Sequence, residues 1–149
     1  MVNIRKANLK DEANVFNLME QFPSRQLPGA KPYTLPENIR IFREIIKDGT
    51  KGTVFIAEED STPLGIVTLS YPVAIRCGGK YTCIEEFIVS EKARGKGVGT
   101  QLLQAAIKEA KKNDCYEMQV NAPSELGYPV YVRQNIKDNG KHLNLKLKD

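Results

Sequence analysis

Within its 149 residues the chain has no apolar run approaching the roughly 20 residues a bilayer span requires, so no membrane-crossing helix is expected. The N-terminus, Met1 to Lys6, places no apolar block after its charges, which argues against a secretory signal. Cys77, Cys83 and Cys115 are odd in number and lack close-paired spacing. They read as reduced thiols of a cytoplasmic protein, with neither a disulfide frame nor a zinc site expected. The lone histidine, His142, falls in a candidate strand, and no nucleophile–histidine pairing suggests an acyl-enzyme. No basic cluster is interleaved with aromatics, so nucleic acid is not an expected partner. The net charge of +4 suits a polyanionic small ligand instead. With no internal repeat, low-complexity tract or second core, residues 1–149 are expected to form one domain.

What is present alternates between strand and helix signals. Residues 2–5 alternate as a short strand, and Asp11 is a candidate cap for a helix carrying Val15, Phe16, Leu18, Met19 and Phe22. Prolines punctuate residues 23–36, and Pro36 opens a second helix that stops at Asp48-Gly49. Residues 53–58 and 64–70 form a hairpin, and residues 81–89 a longer strand interrupted by Glu85-Glu86. Leu102, Leu103, Ala106, Ile107 and Ala110 then mark one stripe of a clear helix. Residues 116–120 alternate as a strand, and residues 124–134 are weakly helical because Gly127 and Pro129 interrupt them. Leu143 to Leu147 alternates as a final strand. The order implies a mixed α/β fold.

The informative stretch is Arg94-Gly95-Lys96-Gly97-Val98-Gly99, between a strand and a strong helix. Glycines let the backbone approach a ligand closely, and the first amides of the following helix lack internal acceptors. Together with the helix dipole and two cations, they make a site suited to a diphosphate. A Walker loop would need Ser or Thr after Lys96, where Gly97 stands, and no glycine lies six positions before that lysine. The dinucleotide pattern G-x-G-x-x-G fails in either register, since Thr100 and Leu102 occupy the third glycine position.

Arg94-x-x-Gly97-x-Gly99 does match the Q/R-x-x-G-x-G/A signature of the GNAT superfamily of N-acetyltransferases, and the chain resembles that family from Ile4 to Leu147. The resemblance implies an α+β single-domain fold with a mixed, mostly antiparallel central sheet flanked by helices. It implies acetyl-CoA as cosubstrate and calls for no metal. Backbone groups of Phe87, Ile88 and Val89 would pair with the pantetheine arm like an added strand. Arg94, Gly95, Lys96, Gly97, Val98, Gly99 and Thr100 would hold the pyrophosphate. Ser124 stands where the family often has a cofactor-holding Asn, and Asn135-Ile136 replaces its usual Gly-Phe.

Direct transfer needs a neutral amine, whereas an amine near pKa ~10 is protonated at neutral pH, so a base or water path is required. Glu85 is the preferred carboxylate, on resemblance to acidic residues at that position in some relatives. Glu86 is its alternative, because adjacent strand residues face opposite ways unless the strand bulges. Tyr131 falls at the family's recurrent tyrosine and would give its phenolic proton to the departing thiolate, with Tyr128 the alternative. The acceptor is expected to be a small-molecule or peptide amine, approached by residues 23–36 and 71–80. Arg25, Lys31, Arg76 and Lys80 there slightly favour an acceptor that also carries a carboxylate or phosphate. A monomer or a homodimer is expected, and a chain that kept the loop but lost the chemistry would be an acyl-CoA sensor.

Overall fold

A computed structural model describes residues 1–140 and 142–148. The first strand, β1 (Asn3–Lys6), leads through a 3-10 turn into α1 (Glu12–Met19), and α2 (Pro36–Lys47) follows a proline-rich loop. Next come β2 (Gly52–Glu59), β3 (Thr62–Ser70), the small hairpin β4 (Val73–Ala74) and β5 (Gly79–Lys80), and β6 (Thr82–Val89). The chain continues through α3 (Val98–Lys112), β7 (Met118–Val120) and α4 (Tyr128–Arg133). Five strands make the main sheet in the order β1-β2-β3-β6-β7. Every neighbouring pair is antiparallel except β6 and β7, which run parallel. Among the described residues no helix is long and apolar enough to cross a membrane.

Strand alternation builds a core on each side of this sheet. Val54, Ile56, Ile66 and Ile88 meet Val15, Phe16 and Leu18 of α1 and Phe42 of α2. Phe55, Val67, Leu69 and Ile84 meet Leu102, Leu103 and Ala106 of α3, with Tyr131 of α4 joining them. Ile56, Ile66, Leu102 and Leu103 are fully buried, each adding about 1.5–3 kcal/mol of hydrophobic stabilisation. Helix and sheet periods therefore agree along nearly the whole chain.

Two local expectations change. Asp11 stands at the cap position of α1, but its side chain caps nothing there. It accepts two hydrogen bonds from Arg5, at 2.8 and 2.9 Å, and Asn8 caps the preceding turn instead. The Arg5 guanidinium holds the Asp11 carboxyl below its usual range. Gly127 and Pro129 do not interrupt the last helix. Gly127 is the cap residue of α4, and Pro129 lies in the first turn, where a missing N–H costs nothing.

The last expected strand is not formed. Residues 142–148 are irregular, and Leu143, Leu145 and Leu147 are 89%, 81% and 89% exposed. Alternation fits a strand, but a strand also needs an edge to pair with, and this segment has no ladder.

Candidate active site

The parallel pair β6–β7 is in register only from Thr82 to Ile84 opposite Met118 to Val120. Beyond Ile84 the two strands part, and a cleft of about 780 Å³ opens between them. Phe87, Ile88 and Val89 form one wall with their β7-facing edge unpaired. Ser124 and Tyr131 line the opposite wall.

At one end the cleft meets the N-terminus of α3. Gly97 is the cap residue, with φ +75°, and Gly95 has φ +81°. These are left-handed conformations that favour glycine, and they let the chain turn sharply into the helix. The first backbone bond of α3 runs from Gln101 N to Gly97 O at 3.1 Å, so the amides of Val98, Gly99 and Thr100 lack intrahelical acceptors. No side chain among the described residues caps them. Arg94 also lines the cleft, is exposed and has no ion pair among the described residues. These donors and the helix dipole fit a diphosphate. Lys96, in contrast, is exposed and does not line the cleft.

The carboxylate pair sits where the strands separate. Thr68 of β3 is opposite Glu86 while Leu69 is opposite Ile84, leaving Glu85 as the extra residue of a β-bulge. Ser70 Oγ donates to Glu85 Oε2 and Thr68 Oγ1 donates to Glu86 Oε1, each at 2.6 Å. Thr68 and Ser70 lie two apart on β3, so the bulge turns both carboxylates toward one face of the sheet. Glu85 is exposed and lines the cleft; Glu86 stands behind it, half-buried. Burial pushes the Glu86 carboxyl above its usual range, opposed by the Thr68 hydrogen bond and reinforced by the Glu85 charge.

Tyr131 packs edge-on against Phe87, with ring centroids 5.5 Å apart. Its side chain makes no hydrogen bond among the described residues, and burial pushes the phenol well above its ordinary value. Ser124 is occupied differently: its Oγ accepts from Gly127 N at 3.0 Å and so braces the start of α4. Tyr128 is exposed and absent from the lining.

The acceptor side differs more from expectation. Phe22, Pro23 and Ser24 reach the cleft from the proline-rich loop, but the lining includes none of Arg25, Lys31, Arg76 or Lys80. Arg76 is paired with Glu117, the Arg25 guanidinium lies 4.4 Å from the Tyr33 ring centre, and Lys80 lies 5.4 Å from that of Tyr71. Charge counting along the sequence placed those cations near the acceptor without their partners. Arg133, which does line the cleft, carried no distinguishing sequence signal.

The family profile of the Acetyltransferase (GNAT) family matches residues 15–132. The chain belongs to this family. It is an N-acetyltransferase. Glucosamine 6-phosphate N-acetyltransferase 1 of Oryza sativa subsp. japonica is 28% identical over 120 residues, covering 75% of this chain and 72% of the rice protein. Glucosamine-6-phosphate N-acetyltransferase from Arabidopsis thaliana superposes with a TM-score of 0.80 over 99% of both chains, at 20% identity. A predicted acetyltransferase from Clostridium acetobutylicum, solved with acetyl-CoA, gives a TM-score of 0.78 at 26% identity, covering 99% of this chain and 97% of the other.

Proposed function

We propose that this GNAT protein moves an acetyl group directly from acetyl-CoA to a primary amine of a small-molecule acceptor. The observation that carries the reading is the convergence on one cleft of the α3 amides, the free edge of Phe87–Val89, Glu85 and Tyr131. Val98, Gly99, Thr100 and Arg94 would hold the pyrophosphate, and the backbone of Phe87–Val89 the pantetheine arm. Bound there, acetyl-CoA supplies an acetyl group activated as a thioester.

The chain's own groups handle the protons. An acceptor ammonium gives its proton to the Glu85 carboxylate, directly or through water, leaving a nucleophilic amine. Geometry favours Glu85 for this contact, because it lines the cleft and Glu86 does not. Burial raises the Tyr131 phenol above its ordinary range, so it carries its proton at neutral pH; as the C–N bond forms and the C–S bond breaks it can give that proton to the departing sulfur and take up the one left in excess on the nitrogen. Phe22 and Pro23 line the cleft from the proline-rich loop, on the side where the acceptor would enter.

The acceptor argument from Arg25, Lys31, Arg76 and Lys80 falls away with their positions. Glucosamine 6-phosphate nevertheless heads the acceptor panel, since a rice relative is named for acetylating it. Coenzyme A release measured across that panel, with Glu85→Gln alongside wild type, tests the reading. Turnover with at least one amine, reduced by about 100-fold in Glu85→Gln, is expected. Tight acetyl-CoA binding without turnover on any amine would instead identify a sensor.

A further inference from the structure

A bulge takes a backbone N–H out of the strand ladder, and that group then needs another acceptor. At the β6 bulge, Glu86 N donates to Thr68 Oγ1 at 3.0 Å. The same hydroxyl donates its own hydrogen bond to Glu86 Oε1 at 2.6 Å. One side chain therefore closes on both the backbone and the carboxylate of the residue after the bulge. Only a hydroxyl does both, since the site needs an acceptor and a donor on one atom. Thr68 is 6% exposed, so no solvent molecule readily replaces it.

The position of this latch matters more than its strength. On its near side, Thr82–Ile84 pair with β7; on its far side, Phe87–Val89 have left β7 and form the cleft wall. Glu85 and Glu86 are the residues between them, and Glu85 is the one the register skips. If the bulge flattened, the strand's period of two would carry Glu85 away from the face it shares with Glu86. Ser70 holds only the tip of the Glu85 side chain. The backbone that aims that side chain is held through Glu86.

We propose that Thr68 is a positioning residue for acetyl transfer, its hydroxyl pinning the β6 bulge so that Glu85 stays at the cleft wall. The inference rests on Glu85 as the proton acceptor and extends it to a residue outside the cleft lining.

Steady-state kinetics of Thr68→Val and Thr68→Ser, run beside Glu85→Gln, test it. Thr68→Val keeps the side-chain shape and removes the hydroxyl. It is expected to lower kcat about 10- to 100-fold while KM for acetyl-CoA stays within about threefold, because misplacing a reacting group by an ångström costs that much in rate. Thr68→Ser should restore kcat. Wild-type kcat in Thr68→Val, or a Thr68→Ser enzyme as impaired as Thr68→Val, would overturn the proposal. Thermal unfolding and direct acetyl-CoA binding identify a variant that has merely failed to fold. In that case Thr68→Ala carries the same expectation. Should Glu85→Gln turn over normally, the proton-acceptor reading falls and this inference with it. Should Glu85→Gln be impaired and Thr68→Val not, the Thr68 inference alone falls.

Discussion

The two walls of the cleft reach their shapes by different routes. From Phe87 to Thr100 the chain runs strand, turn and long helix, and each part is dictated locally. Glycines stand where φ is positive, at Gly95 and Gly97, and α3 follows with a full apolar stripe. From Met118 to Arg133 the chain has a three-residue strand, a loop and a six-residue helix. Ala122 and, past the helix, Asn135 take positive φ without being glycine, at 47° and 65°. That wall is held by what it touches: Tyr131 against Phe87, Ser124 against Gly127, and Ile136 N on Tyr131 O at 3.1 Å. A phosphate cradle made of main-chain amides has to be exact in backbone and is indifferent to most side chains. A side-chain proton donor, the role proposed for Tyr131, has the opposite requirement. The comparison predicts that backbone changes will damage the first wall and side-chain changes the second.

Gly97→Val tests the first half of that statement and should have the largest effect. A Cβ at residue 97 would meet no atom within 4 Å, so any damage comes from conformation and not from crowding. A β-branched residue at φ +75° costs about 1–3 kcal/mol, and relaxing it turns the α3 amides away from the pyrophosphate. Acetyl-CoA affinity by calorimetry should fall about 100-fold, equivalent to ~2.7 kcal/mol. Unchanged affinity would break the comparison at its strongest point.

Tyr131→Phe tests the second wall. The ring keeps its packing on Phe87 and only the hydroxyl is lost. A thiol of pKa about 8.5 leaves without much help, so kcat should fall about tenfold with KM for acetyl-CoA unchanged. The pH dependence has a definite sign. Burial raises the Tyr131 phenol, so the proton-bearing form persists to higher pH, and wild-type kcat should show no alkaline limb from it near pH ~10, its ordinary range. An alkaline limb there that disappears in Tyr131→Phe would show that the phenol is less shielded than the packing implies.

The same division explains what could be read from the sequence. The loop and α3 were legible because glycine spacing and helical period are properties of adjacent residues. The orientation of Glu85 and Glu86 was not, since their carboxylates are held by Ser70 and Thr68, which lie 15 to 18 positions earlier on another strand. Gly127 and Pro129 looked like helix breakers because their cost depends on position within the helix, and at its first turn that cost vanishes. Lys96 carries the charge of a phosphate ligand, but which residues line the cleft depends on the folded chain, and Lys96 is exposed outside that lining. Leu143 to Leu147 has the alternation of a strand, but no pattern in a segment reveals whether an edge is free to receive it.

Gly99→Ala sharpens the contrast within one loop and should do little. Gly99 is not at positive φ, and its added Cβ would touch Phe87 Cζ and Val89 Cγ2 at 3.5 Å, an ordinary contact. The family signature also admits alanine at this position. Affinity for acetyl-CoA should stay within about threefold of wild type, a change below ~0.7 kcal/mol. A loss matching that of Gly97→Val would mean that the ligand, and not the backbone conformation, demands glycine at residue 99.

The smallest effect is expected beyond the second wall, where replacing Leu143, Leu145 and Leu147 together by Ser tests whether the exposed tail adds anything to the fold. Each leucine is more than four-fifths exposed, so little apolar area returns to water when all three are removed. Surface substitutions of this kind stay within about 0.5 kcal/mol, which for a domain of this size is a shift in Tm of no more than a few degrees. A drop of ten degrees or more, or a change in elution volume on size exclusion, would show that the leucines are covered in solution. The alternating tail would then be a strand after all, completed on the open edge of β7 by its own chain or by another copy. The second wall would owe its shape to that pairing as well as to Phe87.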